Sequence, residues 1–120
     1  MSDTTTSTPS PDGGIDYIEF GATDLDRIKK FYSSVFGWKF TDYGPDYTSF
    51  TDGRMTGGFD RSVPTGGNPL VVIYVRDLEA ALERVQASGG QITKPIFSFP
   101  GGRRFHFADP DGNELSVWSE

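Results

Sequence analysis

Cysteine is absent from the 120 residues, and histidine occurs once, at His106. The first absence excludes disulfides, thiolate metal sites and a cysteine nucleophile. The second means that a two-histidine metal centre cannot be assembled within one chain, so that Asp, Glu and His106 would have to supply any metal ligands. Basic residues are also few: 11 Lys and Arg stand against 17 Asp and Glu, giving a formal net charge of -6. No basic run is long enough to follow a phosphate backbone, so nucleic acid is not an expected partner. No segment approaches the roughly 18 apolar residues of a membrane span, and the N-terminus lacks the charged and apolar regions of a secretory signal. A cytoplasmic chain with no membrane partner is the expectation.

What the chain does have is aromatic side chains, ten Phe and five Tyr among them, in a composition that suits one globular domain. Met1 to Gly14 is nearly all Ser, Thr, Pro, Asp and Gly and reads as a disordered tail, too polar to offset the entropy of ordering it. Ile15 to Phe20 alternates in the strand period. Thr23 or Asp24 then caps a helix in which Leu25, Ile28, Phe31, Tyr32 and Val35 recur at helical spacing up to Gly37. Three short strands are expected over Trp38 to Asp42, Tyr47 to Thr51 and Arg54 to Asp60, followed by a linker from Arg61 to Asn68.

The pattern then restarts. Leu70 to Val75 is an apolar run, Asp77 caps a helix carrying Leu78, Ala81, Leu82 and Val85, and Gly89-Gly90 closes it. Ile92 to Phe97, Arg103 to Ala108 and Glu114 to Trp118 complete a second set of strands. In the turn Asp109-Pro110-Asp111-Gly112, Pro110 presets φ, Asp111 is expected to cap the backbone, and Gly112 takes a positive φ. Asp24 and Asp77 head matching stretches, each followed by Leu and each reaching a Gly 13 residues on, which suggests a duplicated βαβββ unit.

Asp24-Leu25, Phe31-Tyr32, Phe36-Gly37-Trp38, Val75-Arg76-Asp77-Leu78, Gly89-Gly90 and Asp109-Pro110-Asp111-Gly112-Asn113, in this order and spacing, resemble the glyoxalase/bleomycin-resistance/dioxygenase superfamily, the vicinal oxygen chelate fold. The likeness covers Ile15 to Trp118. Phe36-Gly37-Trp38 and Asp111 to Leu115 look like the subgroup typified by the Streptomyces growth-arrest protein. The resemblance implies an α+β domain over residues 15–120, its two βαβββ modules at about 15–60 and 70–118. It further implies a curved eight-stranded mixed sheet around a cleft, with the helices outside.

Alternation agrees with that arrangement. Ile18, Phe20, Val71, Ile73, Phe105, Phe107, Leu115 and Val117 are expected toward the helices. Tyr17, Glu19, Leu70, Val72, Tyr74, Arg104, His106, Glu114, Ser116 and Trp118 are expected toward the cleft. Metal-dependent relatives take ligands from the first and last strands of each module, and the positions carried over are Tyr17, Leu70, Gly58 or Phe59, and Ser116. None is an ordinary ligand, so neither metal nor other cofactor is expected, and the glyoxalase I and extradiol dioxygenase readings are rejected. Gly57-Gly58 and Gly101-Gly102 read as turn or bulge glycines, without the Lys-Ser or Lys-Thr sequel of a phosphate loop.

The leading functional expectation is a metal-independent protein that binds or sequesters a small organic molecule in the cleft, as a homodimer. The residues expected to touch the ligand are Tyr17, Glu19, Tyr47, Phe59, Val72, Tyr74, Arg104, His106, Ser116 and Trp118. Tyr and Trp would supply flat apolar surface, and Arg104, His106 and Glu19 the polar contacts. One alternative is a metal-free lyase or isomerase with His106 or Glu19 as general base. Another is a non-catalytic interaction module, with His106 no more than a satisfied strand residue.

Overall fold

The computed structural model describes residues 11–120; the expectation of a disordered tail over residues 1–10 lies outside the described residues. The fold is α+β, a mixed eight-stranded sheet with two helices. In chain order the elements are β1 (Gly14–Gly21), α1 (Leu25–Phe36), β2 (Lys39–Asp42), β3 (Tyr47–Thr51), β4 (Thr56–Asp60) and β5 (Leu70–Tyr74). They continue with α2 (Leu78–Ala87), β6 (Gln91–Phe99), β7 (Gly102–Ala108) and β8 (Glu114–Ser119). Two compact units divide the chain, one of residues 17–71 and one of residues 72–120 with the described residues up to Asp16.

In the first unit the strands run β2-β3-β4-β1, with β1 parallel to β4 and the other pairs antiparallel. Helix α1 starts at Asp24, whose carboxylate accepts the Arg27 N–H at 3.1 Å, and ends where Gly37 turns left-handed at φ 77°. Its buried side meets an aromatic core. Phe20 stacks on Phe59 at 5.1 Å, and Trp38 lies 4.5 Å from both Tyr32 and Phe50. Gly57 and Gly58 sit inside β4, neither in a turn nor at a positive φ, which corrects the expectation of turn or bulge glycines. A side chain at Gly57 would run into the Ile18 carbonyl and the Phe50 ring. These glycines make room for aromatic rings.

In the second unit the strands run β5-β8-β7-β6. Phe105, with no exposed surface, packs with Val75, Leu78, Ala81 and Val117, and Ile73, Leu82, Val85 and Phe107 surround that cluster. Helix α2 repeats the start of α1: Asp77 accepts the Ala80 N–H at 3.0 Å, 53 residues after Asp24. The ends differ by one residue. The left-handed glycine after α2 is Gly89, 52 residues after Gly37, while Gly90 lies where a side chain would strike Val85.

Two details depart from the sequence expectation. In the β7–β8 turn it is Asp109, not Asp111, that caps: one carboxylate oxygen accepts the N–H groups of Asp111 and Asn113, and the other accepts the Asn113 amide, each at 2.9 Å. The capping residue is therefore the first of the turn, as in an Asx turn. Asp12 and Gly13, assigned to the tail on composition, are tied to the end of β5, with Gly13 N–H on the Tyr74 carbonyl and the Arg76 N–H on Asp12, both at 2.7 Å.

Deleting the Phe105 ring leaves a cavity against α2. Phe105→Ala is expected to cost about 3–5 kcal/mol in chemical denaturation, and Asp77→Ala about 1 kcal/mol through loss of the cap.

Candidate functional site

The residues expected to touch ligand fall into two groups, each lying within one unit. In the first unit, Tyr17 and Glu19 alternate with Ile18 along β1 and so share a face, and Tyr47 reaches them from β3. The Tyr47 hydroxyl donates to Glu19 Oε2 at 3.0 Å and lies 2.6 Å from the Tyr17 hydroxyl. Tyr47 has one hydroxyl hydrogen, so the short bond is donated by Tyr17. Burial, followed by the charge of Glu19, holds the Tyr47 phenol well above its ordinary value near 10, which keeps it a donor. Phe59 does not join this group. It pairs in register with Phe20, whereas Gly58 pairs with Glu19, so its ring points to the opposite face. There it lines a cavity of about 350 Å³ with Ile28 and Tyr32.

The second group is built on β7. Phe105 turns into the core, so Arg104 and His106 point to the other face. Register with β8 sets Trp118 beside Arg104, and Ser116 beside His106. His106 is only 4% exposed. Its Nδ1 lies 3.3 Å from Glu114 Oε2, an oxygen that also accepts from the Thr93 hydroxyl at 3.1 Å. A carboxylate can only accept, so Nδ1 carries the hydrogen and Nε2 a lone pair. That Nε2 is buried and has no hydrogen-bond partner. Burial, and next the Arg104 charge, lower the imidazole below its ordinary value near 6.5, against the opposing pull of Glu114; the ring is neutral at pH 7.

Aromatic rings lie on the strands flanking this imidazole, one of them beside it. The Phe97 ring is 5.8 Å from it, and the Arg104 guanidinium lies over Phe97 and Phe99 at 5.4 and 5.5 Å. Trp118 packs edge-on against Phe99 at 6.1 Å and Tyr74 at 5.3 Å. The Trp118 indole donates to Asp16 at 3.0 Å and the Tyr74 hydroxyl to Glu120 at 2.7 Å. Val72, two residues before Tyr74 on β5, is buried at 3% exposure, and Ser116 is wholly buried with its hydroxyl on the Phe105 carbonyl at 3.2 Å. Phe97, Phe99, Asp16 and Glu120 were not singled out as ligand contacts from sequence. Phe97 and Phe99 share the parity of an aromatic strand, a signal that was available; Asp16 lies in the alternating run of β1 but off the parity of Tyr17 and Glu19, and Glu120 lies beyond the last strand.

A divalent ion is what the resemblance implies for relatives with the usual ligands, and the side chains here do not fit one. A Cβ at Gly58 would fall on the Tyr47 phenol and lie 2.9 Å from the Tyr17 hydroxyl, so the ligand position carried over to Gly58 is filled by a neighbouring ring. Leu70 has no donor atom, and the Ser116 hydroxyl is committed to backbone. Among the described residues, no three His, Asp or Glu side chains gather as a metal would require.

The family model for the Glyoxalase/Bleomycin resistance protein/Dioxygenase superfamily matches residues 14–117. A putative glyoxylase, CFP32, of Mycobacterium bovis is 30% identical over 118 residues, which cover 88% of this chain and 45% of that protein. The chain thus spans about half the length of that relative. A glyoxylase-like domain-containing protein of Didymella fabae is 33% identical over 122 residues, covering 88% of this chain and 92% of that one. Among solved structures, a superfamily member from Vibrio splendidus 12B01 superposes with a TM-score of 0.69 at 18% identity, covering 89% of this chain and 100% of the other. That likeness shows the fold. With the family model matched along most of its length, the chain belongs to the glyoxalase/bleomycin resistance protein/dioxygenase superfamily.

Proposed function

We propose that this chain is a metal-independent small-molecule binding protein that holds an organic ligand on the sheet face carrying Arg104, His106 and Trp118. The observation that carries the reading is His106 itself, buried to 4% exposure with an unpartnered Nε2 and with the Phe97 ring 5.8 Å away. Burying an acceptor without a partner costs about 1–3 kcal/mol, a cost that a bound donor would recover. Flat apolar rings with a few polar atoms among them are the ordinary make-up of a small-molecule site. The Tyr17–Tyr47–Glu19 group supports metal independence by filling the space that a ligand side chain at Gly58 would need.

One further observation favours a second reading. An imidazole fixed by a carboxylate at Nδ1, with its Nε2 lone pair available, is arranged as a general base, so a metal-free lyase or isomerase could use His106 as its base. Glu19, the other candidate base, already accepts from Tyr47. Self-association belongs to the first reading, supported by the exposed Phe31, Val35 and Phe36 side chains along α1; a monomeric mass by light scattering would remove it.

Elemental analysis of purified protein, with thermal shift in Mn, Ni, Zn and Fe and in chelator, is expected to find no stoichiometric metal and no metal-dependent change in Tm. One tightly bound ion per chain, lost on chelation, would overturn the proposal. The altered His106 titration gives a second expectation. A folded-state value below 6.5 means that the unfolded chain takes up the proton first as pH falls, so this contribution to stability is complete above about 6.5 and declines below it. His106→Gln should flatten the fall in stability below pH 6.5, and an unchanged slope would show that His106 does not contribute to it. The same variant should weaken any ligand found by library screening about tenfold, as expected for one buried hydrogen bond.

A further inference from the structure

The cavity of about 350 Å³ between α1 and the strands lies wholly in the first unit, whereas His106 belongs to the second. Phe20, Ala22 and Phe59 line it from β1, its end and β4, Ile28 and Tyr32 from α1, and Thr65 from the linker. Phe20 and Phe59 pair in register, as do Glu19 and Gly58 one residue earlier, so the cavity is on the reverse of the face that carries Tyr17, Tyr47 and Glu19.

Two features keep this space from closing. A side chain at Gly21 would meet the carbonyls of Val63 and Pro64, so the linker already rests on the β1 backbone and can sink no further. Phe20 stacks on Phe59 at 5.1 Å and Tyr32 lies 5.5 Å from Phe59, so the rings of the wall hold one another in place. The remaining volume is at the low end of those that hold small organic ligands, about 300 to 1,000 Å³. An empty apolar space leaves its lining short of contacts that a ligand would restore.

The mouth carries both signs of charge. Asp24 and Arg27 also line the cavity, with side chains 49% and 83% exposed. Asp24 Oδ1 accepts the Arg27 N–H, but Oδ2 stands 3.9 Å from Arg27 Nε, too far for a hydrogen bond. A carboxylate and a guanidinium are thus neighbours above an aromatic wall. A lone anion would be repelled by Asp24 and a lone cation by Arg27, whereas a ligand bearing both charges satisfies the two together.

We infer that this cavity binds an α-amino acid with an apolar side chain, its ammonium donating to Asp24, its carboxylate accepting from Arg27 and its side chain against Phe20, Phe59 and Tyr32. One ring on a short chain suits the volume. Exposed ion pairs contribute little, so the buried side chain supplies most of the affinity and the two charges supply the choice of ligand. The site is separate from the face carrying Arg104 and His106, and neither reading depends on the other.

Protein labelled with ¹⁵N would be titrated with L-phenylalanine, 3-phenylpropionate, phenethylamine and L-alanine, following the amides of Ala22 and Ile28 at the cavity and of His106 in the other unit. The expected result is a saturable shift at Ala22 and Ile28 with His106 unmoved. Phenylpropionate and phenethylamine should each bind about two- to fivefold more weakly than phenylalanine, and alanine about tenfold more weakly or worse. Asp24→Asn, which keeps a capping side chain, should erase the preference over phenylpropionate, and Arg27→Gln the preference over phenethylamine. Equal binding of the three ring compounds to the unaltered protein overturns the amino-acid inference in favour of an unselective apolar cavity. Shifts confined to His106, or none at Ala22 and Ile28, overturn the site itself. The loss of ligand affinity expected of His106→Gln tests the other face and is untouched by any of these results.

Discussion

Complete burial of one ring, Phe105, determines where the chemistry of the second unit can lie. Phe105 sits against Leu78, Ala81 and Val117, and successive side chains of a strand point to opposite faces, so Arg104 and His106 cannot share its side. A slip of one residue would press a guanidinium and an imidazole into an apolar cluster and expose the ring. The register with β8 then follows, and with it the placement of Trp118 and Ser116. The polar face is held in position by what lies on its reverse.

That face is acidic in a particular way. Asp16, Glu114 and Glu120 each hold an aromatic or imidazole side chain by its hydrogen. Such bonds fix the tilt of each ring, so the apolar surface is orientated by the charged groups around it. A neutral His106 belongs with this arrangement, because the charge of Arg104 and the cost of burial both oppose a second proton on the ring.

Most of the architecture was legible in the chain. The strand runs, both capping aspartates and the duplicated order are patterns of period and punctuation, and such patterns are local. The misreadings arose where a residue's role depends on a distant partner. Gly57 and Gly58 resemble bulge glycines until Phe50 and Tyr47 are placed over them. Phe59 reads as a face residue until its register with Phe20 is known, and Asp16 and Glu120 carry no signal until Trp118 and Tyr74 reach them. His106 was conspicuous from its rarity alone, whereas its tautomer and unpartnered nitrogen required the position of Glu114 and the covering ring.

Position 58 also bears on how this chain can change over generations. A side chain there and the phenol of Tyr47 claim the same volume, so the two positions are not independent. Any history that places a carboxylate at 58 must first shrink or redirect residue 47, giving up the bonds to Tyr17 and Glu19 before a new group gains anything. The Gly58–Tyr47 pair therefore fixes the order of substitution: residue 47 has to yield its volume before residue 58 can take it.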